Sequence, residues 1–458
     1  MSRYKALAET IIGAIDEGKL QLNDKMLSLR AFSQQHQVSM TTAVNCYDYL
    51  QDRGYLVSRP KSGYFIQQPI PVQQQPALPQ FVGQVSANDG IDTPVDFHPF
   101  ATAQLSEALL PSQDMQKSFS HFAKTMTPSA LQYGNELGSD ELRSALAGHF
   151  SKQGFAFTSD ELLIQNGCLD AVRMAVECIS NEGDTIAVAS PCFSGLLNIL
   201  RLLNRKILEI PSTEGGLDLL QLTSLIRHGQ IKALLVTANF QNPLGRSLSN
   251  EQKQALAELA NQFHFPIIED DVYAELGASS HLPLPIKYWD RAGDVIWCSS
   301  FSKTLSASFR VGWCLPGRHF DAMKMRRKVE TLSVNLPLQY ILADFINTGK
   351  YAKHLSRIKV MLQGQLAAYR GYLFKRIKAP LAVSSPVGGL VLWCQVTGMD
   401  ADQLTKKLAA HGIGIRPGNL FSTRDFYGDY FRLNCGWPLS EDKKKQLDVV
   451  CELINESN

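Results

Sequence analysis

Apolar positions follow three different patterns along this chain. Near the start, Tyr4, Leu7, Ala8, Ile11, Ile12 and Ile15 recur at helical spacing, and Gly18 closes the pattern. Ser28 is placed to cap a helix over residues 29–36. Ser39 is placed to cap another, in which Val44, Tyr47 and Leu50 face inward and Gly54 ends the run. The tight connection at Gln37-Val38 predicts a helix-turn-helix. Residues 55–58 and 64–66 then read as two strands joined by Arg59-Pro60-Lys61-Ser62-Gly63, a basic turn that would make a wing. From 68 to 95 periodicity stops. Proline and glutamine dominate the first half of that stretch, a composition that builds no core and favours an extended spacer. From 96 to 458, short apolar runs alternate with helical patterns, which predicts an α/β body with a largely parallel sheet.

The chain has 458 residues, enough for two or three domains with a large core. A net charge of +2 gives no global sign of nucleic-acid binding, so that reading must rest on a local segment. Nine cysteines include no C-x-x-C pair and no Cys/His cluster with zinc spacing, so buried thiols and no metal are expected. No apolar run approaches the ~20 residues of a membrane span, and the first residues form no secretory h-region, so a cytoplasmic protein is expected.

Each buried run of the body ends in polar or aromatic residues, and α/β sheets bind ligands at the C-terminal ends of their strands. Leu162-Leu163-Ile164 leads to Gly167-Cys168-Leu169 and a helix start, where backbone N–H groups can cradle an anion. Other runs end at Phe193, at Asn242-Pro243, and at Glu269-Asp270-Asp271-Val272-Tyr273. After Asp294–Cys298 comes Ser-Ser-Phe-Ser-Lys303, with Arg310 seven positions on. A lysine leaving a buried strand loses solvation, its pKa falls, and its amine becomes a nucleophile toward an aldehyde. Ser300, Ser302 and Arg310 are suited to hold a phosphate beside it. Taken singly, Lys303 reads as a loop lysine, Asp-Asp as a helix cap and Phe193 as a core aromatic.

Together and in this order, these motifs resemble the fold-type I, aspartate-aminotransferase-like enzymes, whose cofactor is pyridoxal 5'-phosphate. The resemblance implies that Lys303 carries the cofactor and acts as general base, and that Asp270 pairs with the ring nitrogen. It also implies that Asn242 and Tyr273 hold the ring oxygen, that Phe193 stacks on the ring, and that Arg432 in Tyr430-Phe431-Arg432-Leu433-Asn434 clamps a substrate carboxylate. For Arg432 a surface ion pair is the alternative. Tyr133, in Leu131-Gln132-Tyr133-Gly134, matches the family tyrosine that reaches the phosphate of a neighbouring subunit, which implies a homodimer. The part from about residue 340 would form the small domain.

The first 67 residues resemble the winged-helix domain of GntR-type repressors. In that resemblance Ser39, Thr41, Thr42 and Asn45 would read base edges, while Arg30, Arg59 and Lys61 would hold phosphates. The family tends to carry arginine where this chain has Met40. A small helical domain used for protein contacts is the alternative use of such a head. A winged helix (1–67), a spacer (68–95) and an aminotransferase-like body (96–458) together resemble the MocR subgroup of GntR regulators. That implies a regulator that binds a double-stranded DNA operator and senses an amino compound through an external aldimine at Lys303. The other reading is a working aminotransferase with a DNA-binding head.

Overall fold

A computed structural model describes residues 3–16, 19–21, 24–53, 55–59, 62–67, 80–81, 97–213, 216–279, 281–424 and 426–457. Helices Arg3–Asp16, Leu29–Gln35 and Met40–Asp52 are followed by an antiparallel pair, β1 (Leu56–Arg59) and β2 (Gly63–Ile66). Ser28 and Ser39 each accept a hydrogen bond from the backbone N–H three residues on, so both helix starts are capped. The core of this unit includes Ala8, Ile11, Ile12, Phe32, Ala43, Cys46, Tyr47, Leu50, Tyr55, Leu56 and Ile66. Val44 is only half-buried: the inward stripe of its helix runs through 43, 46, 47 and 50, the i, i+3, i+4, i+7 positions of one face. Gly18, Gly54 and Lys61 lie outside the described residues.

In the body, β4 (Leu163–Gln165), β5 (Thr185–Ser190), β6 (Lys206–Thr213), β8 (Ala233–Val236), β9 (Ile267–Asp270), β10 (Val295–Ser300) and β11 (Gly312–Leu315) build one sheet. It also takes in β3 (Gln80–Phe81), and β7 (Gly216–Leu217) pairs off its edge. The order is β3-β6-β5-β8-β9-β10-β11-β4, with the middle pairs parallel and β11 antiparallel to both of its neighbours, β10 and β4. Gln80–Phe81 falls inside the expected spacer yet pairs antiparallel with β6. Two residues are too few to leave a periodic signal in sequence.

The central strands are covered on both faces, as alternation within them shows. Ile186 and Val188 join one core, while Ala187 and Ala189 join another. A second sheet, β12 (Leu381–Val383), β13 (Val391–Val396), β15 (Tyr430–Asn434) and β14 (Arg416–Pro417), has the order β12-β13-β15-β14 and a core of its own. Helix Lys350–Arg376 spans both units: Leu355 and Ile358 belong to the first core, Leu366 and Leu373 to the second. Phe100, though it opens the body, is also part of that second core. Gln67, at the end of the N-terminal unit, donates from Nε2 to the Val383 carbonyl of β12 at 2.5 Å. No helix among the described residues is long and apolar enough to cross a membrane.

Candidate cofactor and ligand pocket

The pocket lies where β8, β9 and β10 end. Its wall includes Lys303, Asp270, Asn242, Tyr273, Phe193, Arg310 and the start of helix Cys168–Ile179. Sheet pairing explains how residues seven apart in sequence meet there. β10 runs to Ser300, the chain loops through Lys303, and β11 returns with Gly312 opposite Ser300. β11 in turn pairs with β4, placing Gly312 opposite Gln165. Gly312 has no room for a side chain: a Cβ there would lie 2.6 Å from the Gly167 carbonyl carbon and 2.8 Å from the Cys168 nitrogen. Close backbone approach thus brings Arg310 and the helix start to one spot.

That spot is suited to an anion. Gly167 has φ 93°, and a Cβ on it would come within 2.6 Å of Arg310 Nη2. Arg310 donates only to the carbonyls of Ala307 and Asn166 and pairs with no carboxylate among the described residues. Ser300, Ser302, Cys168 and Leu169 line the same pocket as Arg310. A phosphate suits these donors: a guanidinium, hydroxyls and a helix N-terminus.

Asp270 is buried, and its Oδ1 accepts from the Cys168 thiol at 3.2 Å. Burial pushes its pKa up, while the thiol and Lys303 oppose that shift. Burial and then Arg432 lower Lys303 to about 8. Its Nζ donates to the Ala103 carbonyl at 2.7 Å and lies 5.9 Å from the Tyr273 ring centre. Asn242 Nδ2 donates to the Tyr273 hydroxyl at 3.4 Å. The Phe193 ring rests on Gly195, where a Cβ would meet it at 2.5 Å.

Arg432 is 3% exposed. It donates to Asn242 Oδ1 and to the Ala101 carbonyl, its Nε has no partner, and it pairs with no carboxylate among the described residues. Burial lowers its pKa to about 10. A buried guanidinium without an anion is costly unless a ligand provides one.

Residues 103–452 match the model of the family Aminotransferase class I and II. The chain belongs to that family. The multiple substrate aminotransferase of Thermococcus profundus has a similar structure, with a TM-score of 0.72 and 25% identity over 78% of this chain and 90% of that one. Over its whole length, the chain is 32% identical to the uncharacterized HTH-type transcriptional regulator YdcR of Escherichia coli K12, covering 100% of both chains. YjiR, another uncharacterized HTH-type transcriptional regulator of Escherichia coli K12, is 30% identical over 99% of each chain. These full-length matches agree with membership of the MocR subgroup of GntR-type regulators.

In this member of the family, ten positions singled out from sequence line the one pocket: Lys303, Asp270, Tyr273, Asn242, Phe193, Cys168, Leu169, Ser300, Ser302 and Arg310. Arg432 reaches it through Asn242. Tyr133 lies outside this wall and is 83% exposed. Sequence reasoning missed Thr237, which lines the pocket at the end of β8, and missed the carbonyls of Ala101 and Ala103. A threonine closing an apolar run was the available signal for the first. Backbone acceptors leave none.

On the N-terminal unit, Thr41, Asn45 and Arg30 are exposed and Thr42 is half-buried. The Ser39 hydroxyl is occupied by the Thr42 backbone and lies 2.8 Å from the Thr42 hydroxyl. It sets the helix start more directly than it offers itself to a partner.

Proposed function

We propose that this protein is a pyridoxal-phosphate-dependent transcriptional regulator. A winged helix-turn-helix head, residues 1–67, binds an operator in double-stranded DNA. A spacer (68–95) joins it to the body (96–458), which senses an amino compound. The observation that carries the sensing half is Arg432: a buried guanidinium lacking an anion, bonded to Asn242 of the pocket that also holds the half-buried Lys303 and a phosphate-suited cradle. The regulatory half is supported by the likeness, over the full chain, to HTH-type regulators.

When bound, the cofactor supplies an aldehyde that condenses with amines and a ring that withdraws electrons. Lys303 offers the amine, unprotonated above a pH of about 8. Asp270 holds a proton on the ring nitrogen, Asn242 and Tyr273 hold the ring oxygen, and Phe193 covers a ring face. Ser300, Ser302, Arg310 and the N–H groups at Cys168 and Leu169 take the phosphate. Arg432 takes the carboxylate of an amino acid ligand, which selects amino acids over simple amines.

The body forms a homodimer through an exposed apolar face around Leu131, Tyr133, Met325, Val329 and Leu332. Glu136 ties this face together by pairing with Lys324 and Lys328. From that face Tyr133 extends to the other subunit's pocket. In the head, Thr41, Thr42 and Asn45 read bases from the helix that Ser39 caps, and Arg30, Arg59 and Lys61 hold phosphates.

A second reading, a working aminotransferase with a DNA-binding head, is favoured by the intact pocket, since no chemistry-bearing position in it is lost. One experiment separates the two. Operator binding and cofactor absorption are measured together while the common amino acids are added one at a time. An amino acid that changes the spectrum and shifts operator affinity supports the sensor. Steady keto-acid production with unchanged operator affinity supports the enzyme. Binding to the protein's own upstream DNA that is no tighter than to random DNA, at matched salt, removes the regulator reading.

A further inference from the structure

Asn434 stands two residues beyond Arg432 on β15, and no role assigned above uses it. It is fully buried. Its Nδ2 donates to two carbonyls of one segment, Pro99 at 2.7 Å and Gln104 at 3.1 Å. Its backbone N–H donates to a third, Phe100, at 2.8 Å. Its Oδ1 accepts from the Gly436 N–H at 3.1 Å, which fixes the amide's orientation. One side chain therefore staples both ends of the segment from Pro99 to Gln104.

The residues between those staples face the pocket's cations. Ala101 offers its carbonyl to Arg432, and Ala103 offers its own to Lys303 at 2.7 Å. The segment is held from below as well. Ser106 N–H donates to the Gly436 carbonyl, and a Cβ on Gly436 would lie 2.1 Å from the Gln104 oxygen. Phe100 anchors it in the core of the second sheet. A carboxylate approaching Arg432 meets an acceptor already in its place. Two acceptors compete for one donor group, and the charged one makes the stronger bond.

We propose that Asn434 is a positioning residue: it holds the Pro99–Gln104 segment against Arg432 and Lys303 so that a carboxylate ligand makes a two-point grip on Arg432 only by displacing the Ala101 carbonyl from Nη2. The apparent affinity for a carboxylate is then set by how firmly the segment is stapled. This inference rests on the ligand reading of the pocket and adds its regulation. Occupancy of Arg432 becomes movement of the chain that leads back toward the head.

The test uses the full-length protein with its cofactor, and propionate as a carboxylate that cannot condense through an amine. Propionate should raise amide exchange across residues 98–106, whereas propionamide should not, and Arg432→Gln should abolish the effect. Asn434→Ala should exchange faster in that segment before any addition and bind propionate at least fivefold more tightly by calorimetry. Gly436→Ala, whose added Cβ would press chiefly on the Gln104 carbonyl and only at 3.2 Å on Asn434 Oδ1, should do the same. A merely structural role for Asn434 would weaken binding or leave it unchanged. Unaltered exchange at saturating propionate, or no gain in affinity in either variant, overturns the proposal. Borohydride reduction of the same sample keeps the two readings apart. Label on Lys303 with an unmoved segment sinks the staple alone, whereas label elsewhere sinks the cofactor reading.

Discussion

At the floor of the pocket, Thr237, Asp270 and Lys303 stand at or just beyond the ends of buried strands, and each contributes its side chain. At its mouth, Ala101 and Ala103 contribute backbone carbonyls from a segment with no regular structure, held by Asn434 from 330 or more residues away in sequence. The floor is fixed by strand register and sheet burial, so its geometry is as rigid as the core. The mouth depends on a few hydrogen bonds that a ligand can replace. Binding the cofactor is a task for the first kind of construction, and responding to a ligand is a task for the second.

The largest effect expected at the floor follows Lys303→Ala, which removes the only amine lining the pocket wall among the described residues. Cofactor should wash out on dialysis, and borohydride should fix none of it. In wild-type protein stripped of cofactor, the rate of reattachment should rise through a pH of about 8, where Lys303 loses its proton. An ordinary lysine titrates near 10.4. The stability sign follows from the same shift. Between those values the unfolded chain binds the extra proton, so stability should increase with pH across that window. A reattachment midpoint above 10 would show that Lys303 is not desolvated.

Beneath the floor, Lys253 is 1% exposed and donates to Asn239 Oδ1 at 2.6 Å and to the Leu284 carbonyl at 2.9 Å. Asn239 donates onward to Asp271, which also accepts from Trp297 Nε1 at 2.8 Å. Lys253→Met strands Asp271 and Glu269 as buried carboxylates and should cost about 3–5 kcal/mol in urea denaturation above a pH of about 8, where both are ionised in the folded protein. Burial already raises both carboxylates. Their folded-state pKa values lie above the unfolded ones, so the loss should shrink as the pH falls and they are protonated. An equal loss at pH 5 and pH 8 would rule out the charge explanation.

The contrast between Asp270 and Asp271 shows what the sequence could convey. Both close the same buried run, and strand alternation sends one to the pocket and the other to the network behind it. Residue identity marks both as chemistry; only the family motif says which one faces the ligand. The alternating runs of the body were legible as a sheet because each strand is buried on both faces. Its antiparallel edge was not, because β11 and β4 are as apolar as their parallel neighbours. Nor was the mouth. Ala-Thr-Ala carries no side-chain signal, and the contact of Gln67 with Val383 joins positions 316 apart.

At the mouth, Arg432→Gln should leave Lys303 and the cofactor in place and reduce amino acid affinity by about 2–4 kcal/mol, the scale for losing one partner of a desolvated charge pair. The same change should raise stability without ligand, since it removes a buried guanidinium lacking an anion. Opposite signs for binding and folding mark a residue kept for its ligand. A loss of both would place Arg432 among the structural arginines.

The smallest effect tests how finely the floor is tuned. Cys168 is buried, and its thiol is held well above its usual pKa by burial and by Asp270, so it remains a neutral donor. It points that proton at Asp270 Oδ1, which favours the ionised carboxylate against the pull of burial. An ionised Asp270 is what keeps a proton on a ring nitrogen. Cys168→Ala removes the donor and should raise the Asp270 pKa further. Because that carboxylate's folded pKa is already raised, the variant should lose stability as pH climbs from the unfolded value toward the new folded one. The cost at neutral pH should be about 1 kcal/mol. Cys168→Ser restores a donor of similar reach and should return both the stability and the pH dependence of the cofactor's absorption to the wild-type pattern. Identical absorption-pH curves for the alanine variant and wild type would show that Asp270 holds its charge without the thiol, and that the floor's rigidity alone sets the chemistry.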